Sequence, residues 1–220
     1  MSGVWAVVPV KCFARGKSRL ERVLSRAARE DLARALCDHT LATLSACETI
    51  AGTLVATDCE IVQAFAEARG AEVVRDVRAG SLNQIADHAL AELAKKGARS
   101  AIVLMGDLPL LDAEDIQGLV GALGSASVVV APDRVRRGTN ALGLTPPDRM
   151  ATCFGSEISF RRHVARARKE GIAHVVHRSD GIAFDLDSPD DLARALALRY
   201  AERGALLRWN RKRPSRVRAA

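Results

Sequence analysis

The amino-acid sequence predicts an α/β fold with a mostly parallel β-sheet, on three observations. Short apolar runs rich in valine, isoleucine and leucine alternate with longer amphipathic stretches, as in sheets whose parallel strands are joined by helices. Several of these runs are continuously apolar, which is typical of strands covered by helices on both faces. The 220 residues, of which 48% are hydrophobic and 27% charged, suffice for one large globular domain or two small ones.

The apolar runs predict strands at eight places along the chain. These are residues 4–10, 53–58, 72–76, 100–107, 127–133, 140–146, 174–177 and 182–187. Ligands of open α/β sheets bind at the carboxyl ends of the strands. The polar residues that follow these runs are therefore the first candidates for a functional site.

Helices are predicted between the strands by apolar periodicity and by their end signals. They cover residues 25–46, 60–70, 81–97, 112–124 and 188–204. Ser25 is placed to cap the first of these helices, and Gly97 is placed to end the third. Early acidic residues in the last two complement the helix dipole.

Charge along the chain predicts a single domain over residues 1–203 and a basic, flexible C-terminal tail over residues 204–220. The net charge is +7, and the tail carries six cations and no acid. This distribution favours a solvated terminus over a polyanion-binding arm. We therefore expect no specific nucleic-acid partner.

The cysteine pattern and the absence of long apolar segments predict a soluble, cytoplasmic protein. Five cysteines are scattered without a C-x-x-C pair, which favours free thiols in a reducing compartment and disfavours a zinc site. The N-terminus lacks the pattern of a signal peptide. No apolar run approaches the ~20 residues that span a bilayer. The sequence leaves the oligomeric state open, with a homodimer as one alternative.

The stretch PVKCFARGKSRL, residues 9–20, follows the first predicted strand and contains four cations and no acid. Its GKS triplet, Gly16 to Ser18, resembles the end of a P-loop, G-x-x-x-x-G-K-[ST]. Lys11 stands where the first glycine of that motif belongs, so a cradle of backbone amides is disfavoured. Side-chain cations, with Lys17 among them, are the alternative means of holding phosphate.

Carboxylates form the second group of candidates. Asp107 follows an apolar run and Gly106, a glycine that would let a ligand approach the backbone. Asp185 and Asp187 alternate along the last predicted strand and therefore lie on one face. Asp107 alone is equally well explained as a turn residue, but three carboxylates at strand ends are suited to magnesium, which prefers oxygen ligands.

The remaining candidates lie in loops and at the starts of helices. Thr139 and Asn140 follow Arg136 and Arg137 in RRGTNAL, while Gly155 and Ser159 precede a predicted helix, as does Asn83 in GSLNQ. Taken singly, each is explained as a loop or cap residue. The five histidines show no ligand spacing, and without a G-x-S-x-G motif an acyl-transfer nucleophile is not expected.

Six motifs, in order, resemble those of the guanylyltransferases that act in the biosynthesis of the deazaflavin coenzyme F420. They are VPVKCFARGKSRL, GSLNQ, LMGDLPLL, RRGTNAL, FGSEISFRRH and FDLDSPDDL. The family includes the 2-phospho-L-lactate, phosphoenolpyruvate and 3-phospho-D-glycerate guanylyltransferases and is related to the molybdenum-cofactor guanylyltransferase. The resemblance implies a three-layer, Rossmann-like nucleotidyltransferase fold with a mostly parallel mixed sheet over residues 1–203.

The resemblance also implies roles for individual residues. Lys11, Lys17 and Arg19 would hold the GTP phosphates, Asn83 and Gly106 would lie near the nucleoside, and Asp107, Asp185 and Asp187 would bind Mg²⁺ (magnesium). Thr139, Gly155 and Ser159 would hold the phosphorylated acid, with Asn140 beside them. The family motif F-G-x-x-S-F has one extra residue in FGSEISF, which leaves Ser156 as the alternative to Ser159.

The implied reaction is the transfer of GMP from GTP to a small phosphorylated acid, with release of pyrophosphate. The alanine- and arginine-rich composition favours a bacterial source and therefore phosphoenolpyruvate or 3-phospho-D-glycerate over 2-phospho-L-lactate. Two alternatives stay open at this point. One is a related nucleotidyltransferase that acts on a sugar phosphate or molybdopterin, and the other is a P-loop-like NTPase or a non-catalytic nucleotide-binding module.

Overall fold

The computed structural model describes residues 3–75 and 80–199 and arranges them around one seven-stranded sheet. The strands are β1 (Val4–Pro9), β2 (Ile50–Thr57), β3 (Glu72–Arg75), β4 (Ala101–Leu104), β5 (Val128–Pro132), β6 (Thr139–Leu144) and β7 (His174–Val176). The helices are α1 (Arg26–Ser45), α2 (Glu60–Glu67), α3 (Leu82–Lys95), α4 (Ala113–Ala122), α5 (Ser159–Lys169), α6 (Asp180–Ala183) and α7 (Pro189–Arg199). Two 3-10 turns, at Phe13–Arg15 and Ser18–Leu20, lie between β1 and α1.

The strand order is β3-β2-β1-β4-β6-β5-β7, and β6 alone among the described strands runs antiparallel to its neighbours. The prediction of a mostly parallel mixed sheet is thereby confirmed. Because β6 is reversed, it begins where its neighbours end, with Ala141 opposite Leu104 and Thr139 opposite Pro132. The start of β6 therefore lies at the edge where a ligand is expected.

Helices cover both faces of the sheet and produce three layers. On one face, Leu41 of α1, Val62 of α2 and Ile116 of α4 share a buried cluster with strand residues that include Val8. On the other face, α3 and α5 cover a second cluster that includes Val7. Neighbouring residues of one strand enter different clusters because strand side chains alternate between the two faces.

The predicted strand at residues 182–187 is wrong. Residues 180–183 form the short helix α6, capped by the Ser179 hydroxyl, and the following residues run irregularly at the edge of the sheet. Phe184 and Leu186 are buried, but they pack against Leu32 of α1 and Leu192 of α7 in a third cluster. The alternation of apolar and acidic residues thus reflects packing under two helices rather than the face of a strand.

The predicted helices are confirmed, with small changes at their ends. The Ser25 hydroxyl accepts a hydrogen bond from the Ala28 amide and caps α1, as expected. Asp112 and Asp115 form a reciprocal capping box at the start of α4. The described part of the last helix ends at Arg199, so the remainder of that prediction and the tail at 204–220 lie outside the described residues. In the part of the chain that the structure describes, no helix is long and apolar enough to cross a membrane.

Candidate active site

The basic stretch after β1 forms two 3-10 turns and does not have the architecture of a P-loop. A P-loop leads from its GK[ST] triplet directly into a helix. Here Ser18–Leu20 forms only a single 3-10 turn, and α1 begins later, at Arg26. Lys17 takes the left-handed backbone conformation, with φ of 54°, and its side chain projects toward the carboxylates.

The Lys17 ammonium lies between two of the predicted carboxylates. Its Nζ is 2.7 Å from Asp107 Oδ2 and 2.9 Å from Asp187 Oδ1. The Lys17 side chain is only 7% exposed, against 29% for Asp107 and 41% for Asp187. Arg19, which is well exposed, approaches the other oxygen of Asp187 to 3.7 Å. These residues come from three segments far apart in the sequence, after β1, β4 and α6, and the fold brings them together.

The electrostatics of this cluster keep Lys17 charged. Burial disfavours the ammonium, but attraction to Asp107 and Asp187 outweighs burial, so the pKa of Lys17 is raised from its ordinary value. The side chain is therefore a fixed positive charge at the edge of the sheet.

Asp185 completes the group of carboxylates. Burial and, to a lesser extent, repulsion from the Asp107 carboxylate raise the pKa of Asp185. Asn140 Nδ2 donates to Asp185 Oδ1 at 3.3 Å and to the Ile182 carbonyl at 2.9 Å, which fixes the start of β6 against this segment. The Leu186 amide in turn donates to the Asp107 carbonyl at 3.1 Å.

The chemistry of these donors fits a hard cation such as Mg²⁺. Within residues 3–75 and 80–199, no three His, Cys, Asp or Glu side chains are grouped so that they could enclose a metal ion, and the Lys17 ammonium lies between Asp107 and Asp187. The cluster nevertheless has three carboxylates for one buried cation. This excess of negative charge contributes to the raised pKa of Asp185, and a divalent cation would relieve it.

The candidates for the acceptor surround a buried histidine that the sequence analysis did not single out. His163 Nδ1 lies 3.0 Å from Thr139 Oγ1, and the Cys153 amide donates to His163 Nε2 at 2.8 Å. Ser159 begins the same helix, α5, and Gly155 has a φ of +79°, which favours glycine. The sequence signal for His163 is its spacing on the buried face of α5, four residues after Ser159.

Asn83 and Gly106 lie in different segments: Asn83 at the start of α3, and Gly106 just after β4. Asn83 lies in the first turn of α3, where its carbonyl accepts a hydrogen bond from Thr152 Oγ1 at 3.3 Å, next to the loop that carries Gly155. A Cβ added to Gly106 would meet Val8 at 3.4 Å and Val10 at 3.8 Å, which are ordinary contacts. Packing therefore does not require glycine at position 106.

Two arginines lie in the loop just before β6. Arg136 has a φ of 58°, and its guanidinium stands over the Phe160 ring at 5.4 Å. Arg137 forms an exposed ion pair with Glu157 at 2.7 Å, between the loop before β6 and the loop before α5. A left-handed conformation is uncommon for a residue other than glycine.

A cleft of about 260 Å³ opens beside the carboxylates. Arg19, Asp185 and Asp187 contribute to its lining, together with Arg134 and Phe184, which the sequence analysis did not identify. The Arg134 guanidinium stands over the Phe184 ring at 5.5 Å and pairs with Asp191 at 3.4 Å. The residues predicted to bind phosphate, metal and acceptor thus lie along one edge of the sheet. Lys11, the remaining candidate for phosphate, is exposed in the loop that follows β1.

Solved structures of nucleotide-dependent transferases and synthetases share this fold. A nucleotide-diphospho-sugar transferase from Desulfovibrio desulfuricans, described as putative, has a similar solved structure, with a TM-score of 0.78, 18% identity and coverage of 96% of each chain. The CMP:2-keto-3-deoxy-manno-octonic acid synthetase, solved with CTP, has a TM-score of 0.62 at 16% identity over 91% of this chain and 99% of that one. At these identities the likeness shows the fold.

The chain belongs to the family described as "Guanylyl transferase CofC like", whose model matches residues 4–199. It is 39% identical over 188 residues to the phosphoenolpyruvate guanylyltransferase of Sphaerobacter thermophilus, covering 85% of this chain and 89% of the relative. It is also 31% identical over 189 residues to the 3-phospho-D-glycerate guanylyltransferase of Phenylobacterium zucineum, covering 84% and 86%. The resemblance seen in the six motifs is confirmed, and the protein is a guanylyltransferase.

Proposed function

We propose that this protein transfers GMP from GTP to phosphoenolpyruvate or 3-phospho-D-glycerate, with release of pyrophosphate, in the biosynthesis of a deazaflavin coenzyme. The observation that carries the proposal is the buried Lys17 ammonium between Asp107 and Asp187, at the edge where β6 also begins. A reaction between two anions needs fixed positive charge at the place where they meet. The relatives named for these two acids support the choice of acceptor.

On the nucleotide side, the chain supplies cations that bind the triphosphate and stabilise the departing pyrophosphate. Lys17 is positioned by its two carboxylate partners, and Lys11 and Arg19 flank it on the exposed side of the same loop. Asn83 and Gly106 would lie near the nucleoside, where the absence of a Cβ at Gly106 leaves room for the ligand to approach the backbone.

Asp107, Asp185 and Asp187 would hold Mg²⁺, with Asn140 orienting Asp185 through its side-chain amide. A bound magnesium ion supplies charge neutralisation and positions phosphate oxygens for displacement. Lys17 Nζ donates to Asp107 and Asp187 and screens the two carboxylates from each other.

On the acceptor side, Thr139, Asn140, Gly155 and Ser159 would bind the phosphorylated acid. Its phosphate is mostly a dianion at neutral pH, since the second pKa of a phosphate monoester is about 6. The phosphate oxygen attacks the α-phosphorus of GTP, a new phosphoanhydride bond forms, and the bond to pyrophosphate breaks. The reaction therefore needs no catalytic base, and the residues act by binding and orienting.

The proposal is tested by mixing the purified protein with GTP, Mg²⁺ and one acceptor: phosphoenolpyruvate, 3-phospho-D-glycerate, 2-phospho-L-lactate or, for comparison, a sugar phosphate. We expect pyrophosphate release with one of the first two and none with a sugar phosphate. Asp107→Asn should lower kcat/KM by about 10²–10³-fold, as removal of charge stabilisation at a reacting phosphate typically does. Asp38→Asn is the matched control, because Asp38 also pairs with a cation, Arg69, but on α1, outside the carboxylate cluster. No release with any acid would contradict the proposal.

We further propose a cytoplasmic location, because all five cysteines are free thiols, as a reducing compartment would keep them. A homodimer stays a prediction that light scattering of the purified protein would check. The choice between Ser156 and Ser159 is likewise a prediction: Ser156 Oγ accepts a hydrogen bond from the Ile158 amide at 3.3 Å, which leaves its own proton free, so both hydroxyls stay candidate donors to the acid.

A further inference from the structure

His163 joins the three segments that carry the predicted acceptor residues. Its imidazole is completely buried on α5, one helical turn after Ser159. A hydrogen bond with the Ser159 backbone favours the protonated ring, although burial outweighs it. Nδ1 lies 3.0 Å from Thr139 Oγ1, and Nε2 lies 2.8 Å from the Cys153 amide, two residues before Gly155. A single side chain therefore contacts the start of β6, the loop before α5 and α5 itself.

The hydrogen bonds fix the tautomer of this ring. The Cys153 amide can only donate, so Nε2 must accept and cannot carry a proton. Burial, the largest influence, lowers the pKa of His163 to about 4, so the imidazole is neutral at physiological pH and has one N–H. That N–H is on Nδ1, where Thr139 Oγ1 and the Ser159 backbone both lie within its reach as acceptors.

The tautomer determines what the Thr139 hydroxyl can do. A hydroxyl that accepts from Nδ1–H keeps its own proton free for another partner. We propose that His163 is a positioning residue, which holds Thr139 as a hydrogen-bond donor toward the phosphorylated acid and aligns Thr139 with Gly155 and Ser159. The inference rests on the proposed function, because it assigns His163 to the acceptor half of that site.

A purely structural role for His163 makes different predictions. Substitution of a buried polar residue that only stabilises the fold would lower the free energy of unfolding, but it would not change the KM of the acid more than the KM of GTP. The contacts of His163 lie with Thr139, Cys153 and Phe154, whereas the triphosphate side of the site is built from Lys17, Asp107 and Asp187. Loss of a positioning residue should therefore act on the acid and leave the binding of GTP nearly unchanged.

The tautomer can be measured on the unmodified protein. In long-range ¹H–¹⁵N correlation spectra of the ¹⁵N-labelled chain, we expect His163 to show a protonated Nδ1, an unprotonated Nε2 and no titration between pH 5 and 8, in line with its pKa of about 4. His174, whose Nδ1 faces the Ile172 carbonyl, should show the same tautomer, and His174→Gln assigns its signals. A protonated Nε2 on His163 would overturn the inference.

Kinetics then test the coupling to Thr139. Thr139→Val should raise the KM of the acid by about 10–100-fold, the range for losing a hydrogen bond to a charged group, with the KM of GTP nearly unchanged. His163→Leu should also raise the KM of the acid. The double variant should have a KM for the acid only slightly higher than that of Thr139→Val alone. His163→Asn, whose amide can replace the Nδ1 donor, should recover part of the affinity for the acid.

The possible results separate the inference from the proposed function. Additive effects of the two substitutions, or equal rises in both KM values, would contradict the role of His163 while wild-type activity stood. Absence of transfer by the wild-type protein to any acid would contradict the proposed function, and the inference would fail with it. If His163→Leu does not fold, the tautomer and the Thr139→Val result decide.

Discussion

The residue that most determines this site is Lys17, which replaces an amide cradle with one fixed charge. Its left-handed backbone costs about 1–2 kcal/mol in a residue with a Cβ. Two charge-assisted hydrogen bonds, to Asp107 and Asp187, offset that cost and hold the side chain in place. Backbone strain at Lys17 is thus part of the way the ammonium is aimed at the carboxylates.

Asp185→Asn should stabilise the protein and impair catalysis. The folded-state pKa of Asp185 is raised, so ionisation of this carboxyl costs the native state stability at neutral pH. We therefore expect the variant to melt at a higher temperature than the wild type at pH 7. If Asp185 binds Mg²⁺ as proposed, the variant should also have a lower kcat/KM in the pyrophosphate assay.

The pH dependence of the higher melting temperature of Asp185→Asn tests whether ionisation of Asp185 is its cause. The penalty on the wild type is complete above the raised folded-state pKa, shrinks as pH falls through it and vanishes below the ordinary value of 3.8. Melting temperatures of the two proteins should therefore converge in acid. A gain that is independent of pH would contradict the electrostatic explanation. Added Mg²⁺ should raise the melting temperature of the wild type more than that of the variant.

Gly106→Ala should separate stability from nucleotide binding. The added methyl would meet Val8 and Val10 at ordinary distances, so the free energy of unfolding should stay within about 0.5 kcal/mol of the wild type or rise slightly. The KM of GTP should increase if the ligand approaches the backbone there. Gly181→Ala is the contrasting control, because its Cβ would overlap the Asp115 carboxylate and should destabilise the fold. An unchanged KM for GTP in Gly106→Ala would remove Gly106 from the site.

At the scale of elements, α4 and α6 support the segment that carries Asp185 and Asp187. Asp112 and Asp115 form the capping box of α4, and Ser179, which caps α6, also donates to the Asp115 carboxylate. Burial, the largest influence, raises the pKa of Asp115. These contacts anchor α6 just before Asp185 and Asp187.

Asp112→Ala should test whether this support is structural only. Loss of the N-cap should lower the free energy of unfolding by about 1 kcal/mol, since the Asp115 amide loses its acceptor. Denaturant titration measures this, and the KM values for both substrates should stay unchanged. Glu114→Ala, in the same first turn but outside the cap, is the matched control. A change in KM would show that the capping box reaches the active site.

At the scale of the whole molecule, the strand order creates the site. Parallel strands β1, β4 and β5 end at one edge, and the reversed strand β6 begins there between β4 and β5. Thr139 and Asn140 are consecutive, yet one contacts His163 of α5 and the other contacts Asp185. The reversal of β6 therefore joins the acceptor candidates to the carboxylates.

Removal of the basic tail, residues 204–220, should leave the enzyme active. The family match ends at residue 199, and the described active-site contacts lie within residues 3–75 and 80–199. A chain ending at residue 203 should keep the kcat/KM and melting temperature of the full chain, as measured by pyrophosphate release and calorimetry. A large loss of activity would show that the tail completes the site.

The sequence by itself determined the fold class, the helices with their caps and the family. These follow from local physics and from motifs: apolar periodicity indicates which segments are helices, and Ser25 and Asp112 cap α1 and α4 through contacts within one turn. The six motifs in order carried the family, which the comparisons confirm. The missing glycine at Lys11 was enough to disfavour a P-loop.

Only the tertiary structure decided which of the candidate site residues contact each other. The segment at 182–187 alternates like a strand, but its apolar residues are buried under α1 and α7, a long-range packing that periodicity does not show. The pairing of Lys17 with Asp107 and Asp187 spans 90 and 170 residues, and the contact of His163 with Thr139 depends on the reversal of β6. Such contacts depend on which strand lies beside which, and local sequence patterns carry no information about that.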